Sequence, residues 1–132
     1  MRYLAIVLLT SGCGQFVDCP WPDDDMRQAL SDFRAAYSEG IEPVTVDSVV
    51  VECVDASEIY VKGAKTYGNT YSKTHVAIPV KGFNRIGQTN LFHELTHVAR
   101  WTTTGDAEAD HNGWEDRFLD LITGLCTLHG GP

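Results

Sequence analysis

His93, Glu94 and His97 stand in the order His-Glu-x-x-His inside the segment Leu91-Phe92-His93-Glu94-Leu95-Thr96-His97-Val98-Ala99-Arg100. Residues four apart on an α-helix lie on one face, a turn above one another. Two imidazoles at that spacing can hold one Zn²⁺ between them. The glutamate beside the first histidine then stands next to the metal without binding it. From there it can take a proton from an activated water and pass it to a leaving amine.

Such a pair needs a helix with one dry face and one open face. At about 100° per residue, Leu91, Phe92, Leu95, Val98 and Ala99 form one apolar arc, and His93, His97 and Arg100 fall on the opposite side. One face suits a core and the other a cleft. Thr89 or Asn90 supplies the N-cap, and Gly105 the C-terminal stop.

A catalytic zinc takes three protein ligands and keeps one position open. Beyond His97 the chain offers Asp106, Glu108, Asp110 and His111. We select His111: a neutral imidazole matches the other two, and a Gly-bounded loop lets the chain turn back over the cleft. Asp110 is the alternative ligand, or else a carboxylate accepting from a ligand imidazole. Trp114, Phe118, Leu121, Ile122 and Leu125 recur at helical spacing and predict a C-terminal helix that holds His111 in place. His75, Tyr67 and Tyr71 are candidate donors to a developing oxyanion.

The remaining elements must build a platform for that helix. Asp23-Asp24-Asp25 opens a first helix, with its acids at the positive end of the dipole. Met26, Ala29, Leu30, Phe33 and Tyr37 give it a core-facing stripe, and Gly40 ends it. Residues 44–54 and 59–61 read as two strands joined by a short turn. Residues 63–72 are polar and carry Gly63, Gly68 and Asn69, which predicts a loop. Val76, Ile78 and Val80 alternate through a third strand over 74–80, where Pro79 confines the strand to a sheet edge or places the proline at a strand end. Residues 81–88 lead into the metal helix.

With 132 residues the chain is expected to form one domain. Hydrophobic residues at 43% and charged residues at 21% are ordinary for a globular protein. The net charge of −8 argues against nucleic acid and against electrostatic docking on anionic lipid. Met1-Arg2, the apolar run from Tyr3 to Leu9 and the small residues before Cys13 read as an export signal. The run would also suit a buried strand, and the export reading is preferred. With Cys13 modified, Cys19, Cys53 and Cys126 leave one disulfide and one free thiol. Cys53 ends a strand-like run and Cys126 lies on an apolar helix side, which favours pairing these two, although spacing alone does not decide among the three cysteines.

Two resemblances sharpen this picture. Ser11-Gly12-Cys13 resembles the lipobox of bacterial lipoproteins, with Leu9 one position earlier than the usual leucine. That resemblance implies that Cys13 becomes the lipidated first residue, and Gly14 after it implies the outer membrane. His93-Glu94-x-x-His97 is the zincin signature, and residues 89–118 resemble the SprT-like zinc metallopeptidases. There the metal helix is followed, after a loop of about this length, by a third His with a Gly and a large aromatic. Here these are His111, Gly113 and Trp114, with Asn112 standing between the His and the Gly.

The resemblance implies His93, His97 and His111 as ligands of one Zn²⁺ per chain and Glu94 as general base. It also implies that the strand before the metal helix is the edge strand beside the cleft, open to pairing by an extended peptide. That family is largely intracellular and DNA-associated. This chain is acidic and lacks a basic module, so the metal chemistry is carried over and the substrate is not.

The expected architecture is a small α+β, zincin-like domain with an N-terminal helix, a mostly antiparallel sheet, the metal helix and a C-terminal helix. Residues 1–12 form the signal, 13–22 a tether and 23–132 the metallopeptidase domain. The expected function is a zinc-dependent peptide-bond hydrolase of the bacterial cell envelope. It is expected to be lipid-anchored on the periplasmic side of the outer membrane and to act on protein or peptide, with no nucleic-acid partner. The alternatives are a non-catalytic zinc-binding lipoprotein on the same scaffold and a peptidoglycan peptidase.

Overall fold

Alternating apolar residues and three amphipathic helices organise the chain around one small sheet. A computed structural model of the chain describes residues 15–40 and 46–131. In order the elements are β1 (Phe16–Val17), α1 (Asp23–Gly40), β2 (Val50–Val54), β3 (Ile59–Val61), β4 (Ala64–Thr66), β5 (Asn69–Ser72), β6 (His75–Pro79), a 3-10 turn (Ile86–Gln88), α2 (Leu91–Thr104) and α3 (His111–Leu128). The fold is α+β, as the patterning predicts. No helix among the described residues is long and apolar enough to cross a membrane. The export signal and Cys13 lie outside the described residues.

The main sheet has four strands in the order β1-β2-β6-β5. The outer pairs are antiparallel and β2 runs parallel to β6. Because side chains alternate across a strand, Cys53, Val76 and Ile78 face the helices. Val54 and Ala77 face the other way, onto Ala56 and Ile59. The helical layer buries Ala29, Phe33 and Tyr37 from α1, Leu91, Phe92, Leu95, Val98 and Ala99 from α2, and Trp114, Phe118 and Leu125 from α3. These are the stripes that helical spacing predicted.

Four expectations are corrected. First, β6 is an interior strand; the sheet ends at β5, and β5 flanks α2. Pro79 is tolerated because it is the last residue of β6, and Val80 resumes pairing by donating to the Val54 carbonyl at 2.9 Å. Second, residues 63–72 are not one loop, since they contain β4 and β5. Lys62 (φ 51°) and Gly63 (φ 80°) form the tight turn that closes the β3–β4 hairpin.

Third, the strand expected over 44–54 begins at Val50, and residues 44 and 45 lie outside the described residues. Val49 donates to the Val46 carbonyl at 3.2 Å in a turn, with both valines buried. The strand at 59–61 pairs with β4, not with β2. Fourth, Cys53 is bonded to Cys19, and Cys126 is a free thiol. The antiparallel register sets Val17 opposite Cys53, which brings Cys19 within a bond's reach. The bridge closes a 34-residue separation, worth on the order of 3–4 kcal/mol through the unfolded chain.

Candidate metal centre

Helix α2 carries the site as its wheel requires. Its apolar arc is buried against the sheet, which leaves His93 half-buried at the cleft. Asn90 occupies the N-cap position, and the Thr89 hydroxyl accepts the Leu91 N–H at 3.2 Å. Gly105 ends the helix in the left-handed conformation, at φ 79°. The chain then turns, and α3 begins at His111.

One ring nitrogen from each of His93, His97 and His111 lies within 4.8 Å of the other two, close enough to hold one metal ion. The ring centroids are 5.0 Å apart for His93 and His97, 5.5 Å for His93 and His111, and 4.9 Å for His97 and His111. Trp114, fully buried, supports all three rings, at 5.1 Å from His93 and His97 and 4.6 Å from His111. This is the physical role of the large aromatic one turn into α3.

The ring of His97 is also oriented. The Ala107 carbonyl lies 2.9 Å from His97 Nδ1. A carbonyl only accepts, so Nδ1 carries the proton and Nε2 keeps its lone pair. One carboxylate oxygen of Glu115 lies 4.0 Å from His93 Nδ1 and 3.5 Å from His111 Nε2. Burial, helped by the neighbouring His97 and His111, pushes His93 down to about 4 against the pull of Glu115. It is therefore neutral at pH 7 and able to donate its lone pair.

Glu94 lies on the same helix, 5% exposed. Its Oε2 accepts from the Thr70 hydroxyl at 2.7 Å. Its Oε1 lies against Gly68, where an added Cβ would come within 2.6 Å. Burial pushes the carboxyl up from 4.5 to about 7; the Thr70 bond opposes this and the charge of Glu108 adds to it. A carboxylate poised near neutral pH suits proton transfer.

The three histidines and Glu94 open into a cleft of about 310 Å³. Thr66, Gly68, Asn69 and Thr70 line its strand side, and Glu108 lines the loop side. Asp110 is placed elsewhere: its carboxylate lies against Gly113 at the first turn of α3, where a Cβ would meet it at 2.5 Å. Its own backbone is left-handed, with φ 53°. Neither Tyr67, Tyr71 nor His75 lines the cleft. Tyr71 packs on the far face of the sheet, where burial and then Glu52 raise its phenol well above the ordinary value. His75 lies against Thr74 at 2.9 Å.

Sequence reasoning missed Gly68, Thr70, Glu115 and the Ala107 carbonyl. Glu115 was findable, because it stands four residues after His111 on one helix. The others come from segments with no periodic signal. Comparison with protein-family models, with curated proteins and with solved structures found no match to this chain.

Proposed function

We propose that this chain is a zinc-dependent peptide-bond hydrolase of the bacterial cell envelope. The observation that carries the reading is the convergence of His93, His97 and His111 beside the buried carboxylate of Glu94. Three imidazoles, with no fourth donor grouped with them among the described residues, match the ligand set of a hydrolytic zinc site. Bound there, zinc supplies Lewis acidity that polarises a carbonyl and acidifies a water.

The chain's own residues supply the rest. Glu94 takes the proton of the attacking water and delivers it to the leaving nitrogen. Thr70 fixes one oxygen of Glu94, which leaves the carboxylate one orientation in which to work. β5 ends the sheet beside the cleft, so its outer backbone groups can pair with an extended peptide. Ala107, Glu115 and Trp114 hold the imidazoles in place.

The envelope location rests on the export signal and on Cys13 as a lipid attachment point. The Cys19–Cys53 disulfide supports it, since such bonds persist in oxidising compartments. The test is turnover of unstructured polypeptide by the zinc-loaded chain beside Glu94→Gln. The reading expects loss of turnover by orders of magnitude with zinc retained. Equal turnover by both, or none by the wild type, would leave a zinc-binding lipoprotein instead.

A further inference from the structure

The two walls of the cleft differ in charge. Thr66, Gly68, Asn69 and Thr70 make the strand side neutral. Opposite them stands Glu108, among the described residues the one charged side chain lining the cleft besides Glu94. Its side chain is 70% exposed, and its Oε1 lies 3.6 Å from His97 Nδ1. That ring proton already goes to the Ala107 carbonyl at 2.9 Å. Glu108 is therefore not needed to orient His97.

Nor is Glu108 neutralised. No lysine or arginine pairs with it among the described residues. Lys65 is engaged by Glu58 at 3.6 Å and lies over the Tyr67 ring, while Arg117 lies over Phe118. Its backbone N–H is fixed by Asp106 Oδ1 at 2.9 Å, which holds the loop that presents it. Residues 105–116 hold five acids and no lysine or arginine, which favours a negative potential along that loop.

We propose that Glu108 is a cation subsite: a peptide bound in this cleft places an ammonium or guanidinium group against it. This rests on the hydrolase reading and names its substrate class as basic peptide. A carboxylate beside the reacting centre strengthens its bond to such a group as the arriving peptide displaces water. The cation is a lysine or arginine side chain or a free α-amine, and the two share this chemistry.

The experiment uses the full zinc-loaded chain and quenched peptides that differ at one position, Lys, Arg, Leu or Glu, each with a free or an acetylated N-terminus. Cleavage of the Lys and Arg peptides should exceed that of the Glu peptide by about tenfold or more, as a charge-assisted bond provides. Glu108→Gln should collapse that ratio, Glu108→Lys should invert it, and added salt should shrink it. Preference for an internal Lys or Arg assigns the cation to a side chain; preference for the free N-terminus assigns it to the α-amine. Equal cleavage of Lys and Glu peptides, or a ratio unchanged in Glu108→Gln, overturns the proposal.

If no peptide is cleaved, the hydrolase reading fails, and binding tests the subsite alone. Zinc-loaded Glu94→Gln chain is titrated with the same Lys and Glu peptides by calorimetry. Affinity about tenfold higher for the Lys peptide, lost on adding Glu108→Gln, upholds the subsite. Equal or undetectable binding of both overturns it.

Discussion

The hydroxyl of Thr70 donates to Glu94 Oε2 at 2.7 Å and to the Glu94 backbone carbonyl at 3.0 Å, joining the edge strand β5 to the buried carboxylate on α2. Both atoms of the contact come from secondary structure, so the carboxylate is placed by the packing of β5 on α2. Replacing Thr70 by Val keeps the volume and removes the bond. The expected result is a fall in kcat of about tenfold or more, with KM little changed. Because the bond lowers the pKa of Glu94, the acid limb of the pH–rate profile should move to higher pH. Thr70→Ser should restore both. A Val variant with wild-type kcat and profile would remove Thr70 from the mechanism.

Gly68 holds the other side of the carboxylate. A methyl group there would lie 2.6 Å from Glu94 Oε1, so Gly68→Ala must push the base or the strand aside. The cost of such overpacking is about 1–3 kcal/mol. We expect a lower melting temperature and depressed turnover with zinc content unchanged, because no ligand is touched. Calorimetry beside elemental analysis checks this, and loss of zinc would mean that the strand also supports the ligands.

In the metal-free chain Glu94 should make stability depend on pH. Its carboxyl is raised from 4.5 to about 7, chiefly by burial. The folded state therefore holds the proton more tightly than the unfolded state. The contribution is full below about pH 4.5 and is lost as pH rises through about 7. Glu94→Gln cannot ionise and escapes that loss. The urea midpoints of the two chains, measured in chelator, should coincide near pH 4 and diverge toward pH 8 by on the order of 3 kcal/mol in favour of Gln. His93, lowered to about 4, titrates in both chains and drops out of the difference. A gap independent of pH would contradict the burial argument.

Glu115 stands between two ligands, 4.0 Å from His93 Nδ1 and 3.5 Å from His111 Nε2. Removing such a partner typically weakens a metal by about 10–100-fold. Glu115→Ala should do so in competition with a chromophoric chelator, and Glu115→Gln should lie between the two. An unchanged affinity would make this carboxylate a bystander.

Much of this arrangement was legible in the residues. The three helices were, because each carries an apolar stripe at helical spacing, over twelve positions in α1 and α3 and nine in α2. The clustering of three histidines was, because His93 and His97 share a face and His111 opens the next helix. The sheet was less so. β5 reads as a loop because Asn69, Thr70 and Ser72 are polar and half-buried, and its order comes from pairing with β6. Pro79 pointed to a sheet edge or a strand end, because a missing N–H matters in mid-strand; it stands at the end of β6, whose interior place in the sheet only the pairing reveals. Cys19 could not be matched to Cys53 without the β1–β2 register. Thr70 and Gly68 act on Glu94 only through that same long-range pairing, which no local pattern encodes.

The central claim is one zinc held by three histidines, and the most direct measurement is metal content. The purified full-length chain would be analysed for zinc beside His93→Ala and His111→Ala variants of confirmed fold. The account predicts about one zinc per chain in the wild type, lost in both variants. Zinc retained in His111→Ala would move the third ligand to another residue, with Glu108, the loop carboxylate that lines the cleft, first in line. A folded wild type that takes up no zinc, even when supplied, would contradict the account and the hydrolase reading with it.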